Sequence, residues 1–383
     1  MSPIDNDIKN FAFGLAKASV YGSYKNRMQN QDSQQHLYNH AIPRIYIEQP
    51  AVFLKGTMIM SKTDKFYRVL FTALALYLVF LLLRYPALSL EYASTGLNLW
   101  FTKMVPTLLP FMILSGIMIR MNLTEGFVSL LHPLLHHIFG TSKNGSYTIT
   151  MGFLCGFPMG ARIVGELYES GKLSREEGTK LLYFCNNIGP IYFLSYVVPT
   201  LAIEKPLIPL LIMYGIPLLY GVILFHAPLL HHVTISLSAA NHGNSLQKCD
   251  TSIIEQSPSQ PRRMPLLTAI DTSVLSGLLG IARLGGYMVF FNLLNIVFVP
   301  FVHVNAEFLN VYRCILEITS GIDYSGHSLF YPILILLPFG GFSCIAQTYS
   351  MIRQTDLSIR PYIFHKTIQT AITAVCYFLL FIF

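Results

Sequence analysis

GFLCGFPMGARIVGELYESGKLSREEGTKLLYFCNNIGP, residues 152–190, is the stretch on which the fold of this chain turns. Glycines recur at 152, 156 and 160, and Pro158 sits among them in an otherwise apolar run. Glycine lets backbones approach closely, whereas proline removes a donor and collides with the preceding turn. The spacing therefore predicts a helix break at Gly156, Pro158 and Gly160. In hydrocarbon an opened backbone must be covered by protein or line a wet cavity, so this is a candidate re-entrant element. The plainer alternative is a tight helix crossing with a proline kink. Ser174 and Glu177 form a capping box that starts a new helix after the turn at Gly171. That helix runs into Asn186 and Asn187, then Gly189 and Pro190, which predict a second interruption. Adjacent amides beside freed carbonyls and a half-helix N-terminus are the parts of a polar-ligand site, or else glue between helices. Arg162 and Glu166 stand at i and i+4, one helical face. Such charges line a pathway or pair inside a bundle, unless Arg162 already lies at the interface.

The surroundings of this stretch are those of a membrane protein. Only 12% of the 383 residues are charged and 53% are hydrophobic, against about 25% and 45–50% in soluble domains. A bilayer core of about 30 Å needs roughly 20 apolar residues of helix. Val69 to Leu83 carries no charge and is flanked by Lys65, Arg68 and Arg84. Pro206 to Leu230, Leu284 to Ala306 and Tyr324 to Ile352 lack Asp, Glu, Lys and Arg, and Thr367 to Phe383 is a further apolar run. Roughly eight to ten membrane segments follow from this reading. The fold class expected is all-α, a polytopic transmembrane helix bundle with broken or re-entrant helices in two related halves. The net charge of +7 falls at span ends and in short loops, which fits positive cytoplasmic loops and no nucleic-acid partner. Six cysteines without CxxC spacing look like small buried hydrophobes.

The chain divides into a polar tail over 1–60, a first membrane half over 61–230, a polar linker over 231–268 and a second half over 269–383. The tail lacks the regions of a cleavable signal peptide; the alternative is a start at Met58 or Met60. Arg262 and Arg263 favour a cytoplasmic linker. GFxxxAR at 156–162 recurs as GFxxxAQ at 341–347, and Thr95-Gly96-Leu97 as Ser276-Gly277-Leu278, the mark of a duplicated transporter with its site between repeats. Whether the repeats are inverted stays open at this point. The second half offers Arg283 before Gly285 and Gly286, Glu317 with Thr319 in LEITSG, and Ser343 and Gln347 after Gly340 and Gly341. These four glycines are further predicted helix breaks. Arg283 and Glu317 could equally form a structural ion pair. His132 and His136 share a face, but no third ligand is evident, so no metal is expected. No nucleophile elbow, phosphate-binding loop or HExxH is found, so neither an enzyme nor a cofactor is expected.

The 152–190 stretch, with LEITSG (316–321), GGFSCIAQ (340–347) and TDLSIRPY (355–362) in order, resembles the YlbJ-type sporulation integral membrane proteins, which carry a nucleoside-recognition or Gate domain. The resemblance covers about residues 65 to 383; the polar tail departs from the family pattern, which begins close to its first span. It implies a multi-pass protein in the mother cell of an endospore-forming bacterium, needed for the spore cortex. It implies no particular substrate, although Gate domains also occur in concentrative nucleoside transporters. The function expected is a Gate-type transporter or permease of a small polar solute, with Arg162, Glu166, Asn186, Asn187, Glu317, Ser343 and Gln347 as its site. The amides and the hydroxyl would hydrogen-bond the solute, and the charges would orient it or carry protons. The rival is a scaffold in the same lipid bilayer that recruits spore-envelope or cortex-assembly proteins through the linker.

Overall fold

The computed structural model describes residues 62–226, 265–301 and 305–382. The tail over 1–60 and most of the linker lie outside the described residues. Contacts divide the chain between Tyr77 and Leu78. The described part of the first unit is the start of helix α1 (Lys62–Arg84), where Phe66, Val69, Phe71, Leu74 and Leu76 are exposed, as lipid-facing residues are. All regular structure among the described residues is helical, and six helices are long and apolar enough to cross a membrane.

In the second unit α2 (Pro86–Leu99) continues through a π turn at Trp100–Met104 into α3 (Val105–Arg120). Two short helices follow, α4 (Thr124–Val128) and α5 (His132–Phe139). Then come α6 (Lys143–Cys155) and α7 (Met159–Glu169). Next are α8 (Arg175–Phe184), the helical run α9 over 190–200, and α10 (Leu207–His226). The second half opens with α11 (Leu266–Leu293), extended by a 3-10 turn at Leu294–Phe298. It continues with α12 (Ala306–Leu316), α13 (Ile318–Ser325), α14 (Phe330–Leu336), α15 (Gly341–Ile352) and α16 (Ile359–Ile382).

Polar ties sort these elements onto two faces. Lys172 Nζ donates to Ile119 O at 2.7 Å, Ser142 N donates to Glu177 Oε1 at 2.8 Å, and Arg175 pairs with Asp356 at 2.9 Å. The end of α3, the start of α6, the α7–α8 turn and the start of α16 thus share one charged face. At the other face Tyr324 Oη donates to Thr95 Oγ1 (3.2 Å) and Tyr312 Oη to Leu294 O (3.4 Å). These bonds gather α2, the end of α11, α12 and α13.

α6 therefore enters from the charged face and α7 returns to it. A helix of 13 residues is about 20 Å long and cannot cross a core of about 30 Å. α12 and α13 make the opposite hairpin, from the other face: a side chain on Gly321 would lie 2.5 Å from the Cys314 backbone, so the two limbs run side by side. Each hairpin is preceded by a long span (α2–α3 or α11) and followed by a broken crossing (α8–α9 or α14–α15) and one more span (α10 or α16). The halves are consequently related with inverted topology, an arrangement familiar in transporters.

This corrects three expectations. The GFxxxA match pairs α7, the return limb of a hairpin, with the second limb of a broken crossing, which are not equivalent positions; Gly96 and Gly277 do fall on equivalent spans. The span placed at Leu284 to Ala306 is instead the 28-residue α11 and its extension, which begins at Leu266 and carries Arg283 inside it. Gly285 and Gly286 break nothing: α11 runs through both, because its ladder is intact and Gly285 makes room for the indole of Trp100, 2.6 Å from where a Cβ would stand.

Candidate functional site

The first hairpin tip forms as the glycine and proline pattern dictates. α6 stops at Cys155, Gly156 adopts φ +85°, and Pro158 occupies the N-cap of α7 after a cis peptide bond. Gly156 also touches the Gly189 backbone nitrogen so closely that a Cβ would overlap it. No other residue type satisfies both the left-handed conformation and that contact. Gly160 lies in the first turn of α7, against the carbonyl of Cys185. The first tip thus seals directly onto the interruption between α8 and α9, which Gly189 and Pro190 end.

The second tip is Glu317. Its side chain caps α13, accepting Thr319 N at 3.1 Å and Ser320 N at 2.8 Å. An anion suits a helix N-terminus. Gly340 and Gly341, both left-handed at φ +72° and +81°, lie in the interruption between α14 and α15, and the carbonyls of Cys314, Ile315 and Leu316 surround Gly341. Each hairpin tip therefore packs on the broken crossing of its own half.

Where the four interruptions meet, a chamber of about 50 Å³ remains. Phe157, Gly189, Tyr192, Glu317, Thr319 and Gln347 line it. A water needs about 10–15 Å³ by this measure, and drug-sized ligands occupy about 300–1,000 Å³, so this is room for small polar species. Glu317 is 2% exposed, and no cationic side chain lies within salt-bridge distance of it among the described residues. The pairing with Arg283 considered from sequence is therefore not formed. The Tyr192 hydroxyl is buried beside the Thr319 hydroxyl. Gln347 donates from Nε2 to Ser343 Oγ at 2.9 Å.

Of the seven site residues expected, Glu317 and Gln347 line the chamber and Ser343 orients Gln347. Asn186 and Asn187, both fully buried, serve as ties between the halves. Asn186 Nδ2 donates to Thr348 Oγ1 (2.8 Å) and Tyr362 Oη (3.0 Å), and its Oδ1 accepts Ala161 N (3.3 Å). Asn187 Nδ2 donates to Phe184 O at 2.6 Å. Arg162 and Glu166 pair at 2.8 Å on α7, and Arg162 Nη2 reaches Ser276 Oγ at 3.0 Å. Neither lines the chamber. His132 and His136 bond to Ser146 Oγ and Thr141 O, and no metal-sized cluster of ligands occurs among the described residues.

Sequence reasoning missed Lys366, which is 0% exposed. Its ammonium donates to Asn187 Oδ1 at 2.6 Å and Gln369 Oε1 at 3.2 Å, and lies 5.4 Å from the Phe157 ring centroid. The aromatic face offers the third hydrogen a partner. The signal was present: Tyr362, Lys366, Gln369 and Thr373 recur every three or four residues, a polar stripe on a helix in lipid, and all are buried.

Fold and chamber together define a polytopic integral membrane protein built from inverted halves with broken helices. The chain is 24% identical over 348 residues to the sporulation integral membrane protein YlbJ of Bacillus subtilis (strain 168), a match covering 83% of each chain, and this bears out the YlbJ-type resemblance of its motifs. No family model matches the chain. No solved structure matches it either.

Proposed function

We propose that this protein passes a small polar solute across a membrane during spore formation, through the chamber between its hairpin tips. The observation that carries this reading is the meeting of two oppositely inserted hairpins at a buried carboxylate. Opened helices and an ion-unpaired Glu317 are costly in hydrocarbon and are tolerated where they surround water or a substrate. Leu154 and Ile191, which line one side of the chamber, are exposed, and exchange of its contents between the two faces requires one hairpin to shift. Lys143, Lys172, Arg175, Arg353 and Arg360 lie near the charged face, which supports reading that face as cytoplasmic by the positive-inside rule. The spore-related part of the reading comes from YlbJ, a sporulation protein by name; service to the spore cortex and kinship with Gate domains belong to the same proposal. The scaffold alternative rests on the linker and gives no reason for a chamber.

The test uses B. subtilis cells lacking YlbJ, with polar metabolites measured separately in forespores and mother cells. Loss of the relative should displace one compound, this chain should restore it, and Cys344→Phe, which fills the chamber, should not, at equal membrane levels. Restoration by the plugged variant would exclude passage through this chamber.

A further inference from the structure

We infer that the chamber holds a sodium-sized monovalent cation on Glu317, with Tyr192 and Gln347 as neutral oxygen ligands. This deepens the passage reading by naming a coupling ion for the same chamber, and rests on that reading for the role of coupling alone. Three observations carry it. Glu317 is buried, and its carboxylate offers about four lone-pair positions, of which the backbone nitrogens of Thr319 and Ser320 take two. It borders free space instead of a basic side chain. The buried hydroxyl of Tyr192 borders the same space, with the Thr319 hydroxyl beside it, and offers its oxygen lone pairs to a ligand there. Gln347, whose amide nitrogen is spent on Ser343, keeps its carbonyl oxygen for a ligand.

The donor set is all oxygen, which selects hard cations. Its charge selects a monovalent one. Glu317 contributes one negative charge, and the N-terminus of α13 offsets up to roughly half of it. Lys366 adds positive potential nearby, but it meets the chamber only through the Phe157 ring, and its own donors are already engaged. A divalent ion would find too little negative charge to shed its water. A free volume of about 50 Å³ admits an alkali ion with a residual water or two, in place of a full hydration shell.

Thermal unfolding of the purified full-length protein in detergent tests this, in NaCl against choline chloride at matched ionic strength. Sodium should raise the Tm of the wild type saturably, since a ligand bound only by the folded state stabilises it. Glu317→Gln should weaken the apparent affinity by about tenfold or more, the loss of one charged ligand. Tyr192→Phe, which leaves the α13 cap untouched, should weaken it several-fold and decides the matter if the Gln variant does not fold. Equal Tm values in the two salts, a response to pH in place of sodium, or an unchanged midpoint in the Tyr192→Phe protein would overturn the site. No solute is present in this measurement, so its failure is separable from failure of the compartment experiment.

Discussion

The two hairpins occupy equivalent places in inverted halves, yet their tips use opposite chemistry. The first tip, Gly156-Phe157-Pro158, is apolar and closes by backbone contact with Gly189. The second is a carboxylate held by the helix it caps. The first is fixed by shape and cannot shift without losing close packing, while the second is fixed by hydrogen bonds and leaves lone pairs for something else. The same frame occurs twice, once with its tip closed by backbone contact and once with its tip closed by a capping carboxylate.

The sharpest way to break this comparison is Gly156→Ala. It imposes a side chain at φ +85° and against Gly189 N, so folded protein should fall several-fold in membrane fractions. Gly341→Ala, where the nearest carbonyl stands 3.0 Å from the new Cβ, should cost less. Equal losses would contradict the unequal sealing of the tips. Next in size is Lys366→Met, which strands the oxygens of Asn187 and Gln369 and lifts the charge from Phe157. A loss of about 1–3 kcal/mol per orphaned acceptor is expected, read as a lower denaturation midpoint in detergent. Tyr362→Phe removes one of two acceptors for Asn186 while Thr348 remains. It should cost about 0.5–1.5 kcal/mol by the same assay. The smallest effect belongs to Asp356→Asn, which loses an exposed pair with Arg175. That change should fall below about 1 kcal/mol and vanish at high salt.

Much of this was legible before any coordinates. Glycine, proline and asparagine in one apolar run announce interrupted helices because lipid leaves few other uses for them, and Glu317 stood out in LEITSG as a carboxylate beside apolar segments. Other parts were not. Whether Gly285 opens a helix or admits a ring depends on Trp100, which is 185 positions away in sequence. Asn186 and Asn187 read equally well as ligands or ties, and only their partners on α15 and α16 decide. Lys366 was passed over because a charge near the start of an apolar run is ordinarily placed at the headgroups. The inversion of the halves was hidden by a short motif match between parts that do not correspond.

A limb that comes back to the side it left adds nothing to the tally of crossings. Reporters fused in the turn before Lys143 and in the turn at Gly171 should answer from the same compartment. Any map that grants the 143–169 segment one passage will assign every later loop to the wrong side, until the same mistake at 306–325 silently restores the parity. The carboxyl end would then look right while the middle third stood upside down.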